Sequence, residues 1–161
     1  MGASKTLVVF YSRSGTTRRI AEALSQALQC DLEEITEFRP RTGFLGYMRS
    51  LLETRGKRPS IIGPKKHDVS SYDLVVVGTP VWAWSLSSPV RAYLMTTTSQ
   101  LPEVAFFCTF GGAGSDSTFA QMTAIAGKKP CAVCAITERE VLSGRYSDRL
   151  SAFAKALKER H

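Results

Sequence analysis

Apolar residues in this chain fall into short unbroken runs, separated by stretches in which they recur at helical spacing. Leu7–Tyr11, Leu74–Gly78, Val104–Phe110 and Cys131–Ile136 are each apolar without alternation and rich in Val, Phe or Ile. Strands covered on both faces read this way, and such strands are typical of parallel sheets. Asp31–Thr36 instead alternates, with Leu32, Glu34 and Thr36 set against Glu33 and Ile35, as an edge strand does. Between the runs, Thr16–Leu28 places Ile20, Leu24, Ala27 and Leu28 on one helical face, and Phe44–Thr54 places Leu45, Met48, Leu51 and Leu52 likewise. Pro89–Thr96 follows Ser87 and Ser88 as capping residues, with Pro at the first helical position. Asp116–Ala126 is a fourth helix, and Ser147–Arg160 a fifth, with Leu150, Phe153, Ala154 and Leu157 on its apolar face.

Strand and helix therefore alternate five times, which predicts right-handed crossovers and a doubly wound α/β sandwich. A chain of 161 residues suits one domain, expected over residues 1–161. The only long irregular connection is Arg55–His67, punctuated by Gly56, Pro59, Gly63 and Pro64. In such sheets ligands sit at the carboxyl ends of the strands, where the winding reverses. The segments after the first, third and fourth strands are then the ones to search.

The first is Ser12-Arg13-Ser14-Gly15-Thr16-Thr17, which opens the first helix with four hydroxyls and a glycine in six residues. Helix N-terminal amides lack internal partners, and the macrodipole adds roughly half a positive charge there, so the loop suits a phosphate. It is not a Walker loop, and it lacks Gly-x-Gly-x-x-Gly. The second is Gly78-Thr79-Pro80-Val81-Trp82-Ala83-Trp84, which holds both of the chain's 2 tryptophans. An indole at the active edge offers a flat face for a heterocycle. The third, Thr109-Phe110-Gly111-Gly112-Ala113-Gly114-Ser115-Asp116, has glycines that let backbone approach a ligand closely. A phosphate cup, a stacking aromatic and a bare backbone loop describe a site for a flat heterocyclic mononucleotide.

On these motifs the chain resembles the flavodoxin family over nearly its whole length. Ser12-Arg13-Ser14-Gly15-Thr16-Thr17 matches that family's phosphate loop, Gly78–Trp82 the loop whose Trp stacks on the flavin ring, and Phe110–Gly114 the third flavin loop. The uninterrupted last strand resembles the short-chain branch. The resemblance implies a flavodoxin-like three-layer sandwich with five parallel strands in the order 2-1-3-4-5, binding FMN. Ser12, Arg13, Ser14, Gly15, Thr16 and Thr17 would lie at the phosphate. Thr79, Pro80, Val81, Trp82, Ala83 and Trp84 would flank the ring, with Thr109, Phe110, Gly111, Gly112 and Gly114 on its other side. It further implies electron transfer between partner proteins or, alternatively, NAD(P)H-driven reduction of a quinone or FMN. A flavin-free binding module on the same fold is a further alternative. No catalytic side chain is expected, because the flavin carries the electrons.

The family usually stacks a Tyr on the ring's outer face. Here Phe119 is the aromatic nearby, expected to face the core, so Trp84 takes that role or the face stays open to a substrate.

Charge adds a possible partner. The formal net charge of +7 is confined to Arg39–Lys66, which holds eight bases (Arg39, Arg41, Arg49, Arg55, Lys57, Arg58, Lys65, Lys66) and one acid, Glu53, leaving 13 of each elsewhere. A docking face for an acidic redox partner or for the phosphate of NADPH is the sharper reading, a solvated helix with a basic loop the plainer one. Aromatics are not interleaved with these bases as stacking platforms for nucleic acid would be, so no nucleic acid is expected. A positive charge about 10 Å from a flavin would favour its anionic reduced form by roughly 1–2 kcal/mol at an effective dielectric of about 20. A higher two-electron potential than that of an acidic flavodoxin is therefore expected.

No stretch of 18 apolar residues exists, no cleavage site follows the first run, and the cysteines read as reduced, which together suggest a cytoplasmic protein without a membrane span. Cys131-Ala132-Val133-Cys134 has C-x-x-C spacing, but strand parity would send the two thiols to opposite faces, so they are expected to be inert. With His67 and His161 the only histidines, no metal site is expected.

Overall fold

The computed structural model of the chain describes residues 4–37 and 61–160. In order these form β1 (Thr6–Phe10), α1 (Thr16–Leu28), β2 (Asp31–Glu34), β3 (Leu74–Trp82), β4 (Ser85–Leu86), α2 (Ser88–Thr97), β5 (Glu103–Phe110), α3 (Ser115–Ala126), β6 (Val133–Thr137), α4 (Glu138–Ser143) and α5 (Ser147–Arg160). The expected helix Phe44–Thr54, and six of the eight bases of the basic segment, lie outside the described residues.

The strands stand in the order β2-β1-β3-β5-β6, and every neighbouring pair is parallel. This is the predicted three-layer sandwich and strand order, with one addition. β3 runs on to Trp82, four residues past its expected end, and turns back as β4, pairing Val81 with Leu86 and Trp82 with Ser85 antiparallel.

Strand parity builds the two cores. Leu7, Val9, Val75, Val77, Val104 and Phe106 point to one face, against Val90, Tyr93 and Leu94 of α2 and Met122 and Ala126 of α3. Val8, Phe10, Leu74, Val76, Ala105, Phe107 and Ile136 point to the other, against Ile20 and Leu24 of α1, Val141 of α4, and Leu150, Phe153 and Leu157 of α5. A strand with both neighbours apolar has no polar side to alternate with, which is why its sequence is an unbroken run.

β2 keeps the alternation of an edge, and its buried parity contains a carboxylate. Glu33 and Ile35 are both 4% exposed. Glu33 accepts from the Lys66 backbone N–H at 3.0 Å and lies 2.7 Å from His67 Nδ1, so the carboxylate is not left unpartnered.

Two expectations about the last third of the chain change. α4 lies between β6 and α5, where one helix was predicted. Its signal stands in the sequence as Thr137-Glu138-Arg139-Glu140, a capping box in which Glu140 N–H donates to Thr137 Oγ1 at 3.1 Å and Glu140 Oε1 accepts from Thr137 N–H at 3.0 Å. β6 begins at Val133, so Cys131 precedes the strand and the parity argument does not reach it. Cys131 and Cys134 both pack against the same apolar cluster, as free thiols. Burial pushes Cys134 up to about 11, and it raises Cys131 as well, consistent with inert thiols.

β3 comes close to β5 at Gly78. A Cβ there would lie 2.0 Å from Cζ of Phe107, whose ring lies across the glycine. Gly78→Ala should therefore lower unfolding free energy by about 1–3 kcal/mol in urea melts, with Phe107→Leu restoring part of the loss.

Candidate functional site

β1, β3 and β5 end side by side, with Phe10 opposite Gly78 and Pro80 opposite Thr109. The three loops singled out in the sequence consequently meet at one edge of the sheet. Tyr11 N–H donates to Gly78 O at 3.3 Å, extending the pairing one residue beyond β1. Beneath the surface, Thr17 Oγ1 and Thr109 Oγ1 lie 2.8 Å apart, tying the first loop to the third through a buried hydroxyl pair.

The hydroxyls of the first loop do not cap the helix they precede. The N-cap of α1 is Gly15, left-handed at φ 99°, with no side-chain cap hydrogen bond. Ser12, 8% exposed, accepts instead from Gly15 N–H at 3.1 Å, and the Ser14 and Thr16 hydroxyls sit 3.3 Å apart. The first amides of α1, which have no acceptor within the helix, are left for whatever occupies the space in front of the loop. α3 begins the same way, at Gly114 with φ 100° and no side-chain cap. α4, with its Thr137–Glu140 box, shows what a self-capped helix looks like in the same molecule.

The second loop is a tight hairpin. Trp82 pairs with Ser85, so Ala83 and Trp84 alone make the turn, at φ 48° and 68°. Positive φ at both central residues is the requirement of a type I′ turn, a position where Asn and Gly are the usual choices. Non-glycine residues there cost about 1–3 kcal/mol each and persist only where surroundings hold them. Here α3 supplies the hold. Ser117 Oγ donates to Trp84 O, and Gln121 Nε2 donates to the same oxygen at 3.3 Å. Gln121 Oε1 accepts from Ser85 Oγ at 2.8 Å and from the Arg91 guanidinium at 2.9 Å, joining hairpin, α2 and α3. Gly114 admits the close approach, since a Cβ on it would lie 3.1 Å from Trp84 Cα.

Trp82 is half-buried. Tyr11 meets it edge-on, with centroids 5.7 Å apart, and donates its own hydroxyl to Glu37 Oε1 at 2.7 Å. The Arg13 guanidinium lies over the Trp82 ring, 5.6 Å from its centroid. Trp84 is 63% exposed, and Phe119, half-buried, packs against the core, as expected. Gly111 and Gly112 are exposed, with nothing within 4 Å of a Cβ built on either.

Not every predicted residue faces outward. Thr79 is fully buried, its Oγ1 donating to Pro80 O at 2.8 Å and accepting from Ser87 N–H at 2.9 Å, so its side chain shapes the hairpin. Thr109 is 1% exposed and committed to Thr17, while Pro80, Val81 and Phe110 are half-buried. Sequence reasoning missed Tyr11, Ser117 and Gln121. Ser117 and Gln121 stand one helical turn apart on α3, a spacing visible in the sequence, but nothing there names the hairpin carbonyl they share. Cys108, below the loops, is pushed up to about 12 by burial and offers no thiolate.

Lys65 and Lys66, the described members of the basic segment, are exposed and line a cleft of about 350 Å³ with His67, Val69, Thr97 and Gln100, away from the three loops. Among the described residues no group of three His, Cys, Asp or Glu side chains could hold a metal ion, and no helix is long and apolar enough to cross a membrane.

A family model described as Flavodoxin matches residues 5–153. A flavoprotein from Lactobacillus acidophilus NCFM, crystallised in complex with FMN, is 26% identical with a TM-score of 0.72, over 88% of this chain and 98% of its own. A protein from Bacteroides eggerthii DSM 20697 shares the fold at 24% identity and TM-score 0.73, over 91% of this chain and 98% of its own. A flavodoxin from the domain Archaea does so at 15% identity and TM-score 0.58, over 97% of each chain. No curated protein sequence matches the chain.

Gln121→Ala should cost about 1–3 kcal/mol of unfolding free energy in urea melts, because it removes partners from Ser85, Arg91 and Trp84 together. Gln121→Glu, which keeps the acceptor for Ser85 and Arg91 but loses the donor to Trp84 O, should recover only part of that loss.

Proposed function

This chain belongs to the flavodoxin family, and we propose that it binds one FMN non-covalently among the three loops and carries electrons between partner proteins. The carrying observation is that α1 and α3 both begin at left-handed glycines with no side-chain cap, on either side of the buried Thr17–Thr109 pair. Uncapped amides and neutral hydroxyls are a donor set for a phosphate dianion, and Gly111 and Gly112 leave backbone open beside them. The residues present thus fit the mononucleotide that the L. acidophilus relative was crystallised with.

In this reading the amides of Ser14, Thr16, Thr17 and Arg18 and the hydroxyls of Ser14 and Thr16 hold the phosphate. Ser12 keeps its loop closed by accepting from Gly15. Trp82 and Trp84 offer aromatic faces, the hairpin clamp fixes Trp84's backbone, and the Gly111–Gly112 stretch presents amides to a polar ring edge. The bound flavin supplies the reversible uptake of electrons, and the chain binds, orients and partly shields it. The only ionisable side chains in the three loops are Arg13 and Asp116, so no general acid–base role falls to the protein. The basic segment Arg39–Lys66 is the docking element for an acidic redox partner, and electron delivery slows as salt screens that attraction.

One observation favours a second reading. Trp84 is 63% exposed and Phe119 packs against the core, which leaves the Trp84 side of the site open among the described residues. A small acceptor such as a quinone, or the nicotinamide of NAD(P)H, could reach the ring there, making the protein an NAD(P)H-dependent oxidoreductase.

Titration of the flavin-free protein with FMN should give a complex that keeps its visible absorbance through gel filtration. Riboflavin, which lacks the phosphate, should bind about 10–100-fold more weakly. Absence of flavin absorbance after adding FMN would sink both redox readings and leave a flavin-free binding module. Steady NAD(P)H consumption with a quinone, without an added reductase, would favour the oxidoreductase over the carrier.

A further inference from the structure

Three arginines stand in and just behind the first loop, and each makes a different contact. Arg18 donates through Nε to Glu34 Oε1 at 3.2 Å and pairs with the other carboxylate oxygen, while Arg19 donates to Val141 O at 3.3 Å. The third is Arg13, in the loop itself. Its guanidinium lies over the ring of Trp82, at 5.6 Å and within the range of a cation–π contact.

We infer that Arg13 is the cation this protein sets against the ring of its flavin, and that it strengthens the hold on the reduced, anionic form rather than on the phosphate. The inference rests on the FMN reading above and adds to it the residue that biases the site between redox forms.

Trp82 is fixed from one side by the edge-on Tyr11, whose hydroxyl is held by Glu37, whereas the group over its ring belongs to an exposed side chain. A flat heterocycle arriving at Trp82 meets the guanidinium there. Guanidinium is planar, stacks on aromatic faces and stays charged at any working pH, so it can move with the incoming ring instead of being expelled. Oxidised flavin is neutral in its ring and gains modestly. Reduced flavin carries negative charge on the ring at neutral pH and gains a direct Coulomb attraction in a partly desolvated setting. The phosphate, served by amides and hydroxyls, does not need Arg13. Charges of opposite sign are present nearby in Glu37, one phenol away from Trp82, and Asp116, in the first turn of α3. Of these charges it is Arg13 that lies over the indole, 5.6 Å from its centroid.

The test compares Arg13→Gln, which keeps a planar hydrogen-bonding group without charge, with Arg13→Lys, which keeps charge without the plane. Dissociation constants are measured for oxidised FMN, chemically reduced FMN and riboflavin. Arg13→Gln should weaken reduced FMN about tenfold more than oxidised FMN, which lowers the two-electron midpoint potential by about 30 mV, with the preference for FMN over riboflavin unchanged. Arg13→Lys should keep most of the bias. Equal weakening of both redox forms, or a fall in the preference for FMN over riboflavin, would overturn the inference by making Arg13 a general or a phosphate contact. A flavin-free readout stands beside these. In a Trp84→Phe background, where Trp82 is the sole indole, Arg13→Gln should raise acrylamide quenching of its fluorescence, and unchanged quenching would also overturn the inference. If the unaltered protein takes up no flavin of any kind, the FMN reading itself fails, an outcome distinct from flavin uptake with an unchanged redox bias.

Discussion

A parallel sheet covered on both faces leaves its polar chemistry few places to go, and the strands' carboxyl edge is the favoured one. β1, β3 and β5 are apolar on both parities because each parity meets its own helix layer. The segments that follow them must therefore carry what the strands cannot. They do so with hydroxyls, glycines and two indoles, and with almost no ionisable groups. The site's character follows from the same burial that stabilises the fold.

What knits that edge into one surface is a set of short polar contacts across elements far apart in sequence. Thr17 and Thr109 share a buried hydroxyl contact at 2.8 Å, so neither loop can move without disturbing the other. Gln121 joins the hairpin to α2 and α3 and helps hold Ala83 and Trp84 at positive φ. Strain of that kind is retained where a structure over-determines it, and here the over-determination comes from one helix face. The glycine caps of α1 and α3 are the complementary device. A side-chain cap would consume the amides that a glycine leaves available, as Thr137 does at α4.

Charge is arranged on two scales. The excess of +7 belongs to Arg39–Lys66, and the two lysines described there line a cleft away from the loops. Long-range attraction of that kind acts on encounter and is weakened by salt. The role proposed for Arg13 is instead at contact range, over an aromatic ring. Under that proposal the expected rise in flavin potential rests on a single side chain and not on the segment as a whole.

Much of this was legible in the residues. Unbroken apolar runs specified buried parallel strands, and helical spacing gave α1 and α5 their boundaries, because periodicity reports directly on which faces are covered. Strand order came from the resemblance to the flavodoxin family, and the three loops from their place after strands and from their glycines and hydroxyls. The Thr137-x-x-Glu140 signal for α4 was present but had to compete with a strand ending on the same residue. Other features were settled only by tertiary structure. The two-residue turn at Ala83-Trp84 contradicts local preference and exists because α3 holds the carbonyl of Trp84. The inward turn of Thr79 depends on Ser87 across the hairpin, while the burial of Glu33 beside His67 and the placing of Arg13 over Trp82 depend on neighbours dozens of residues away. Local sequence records which groups are available and which faces are apolar; which polar groups meet is decided by packing across the chain.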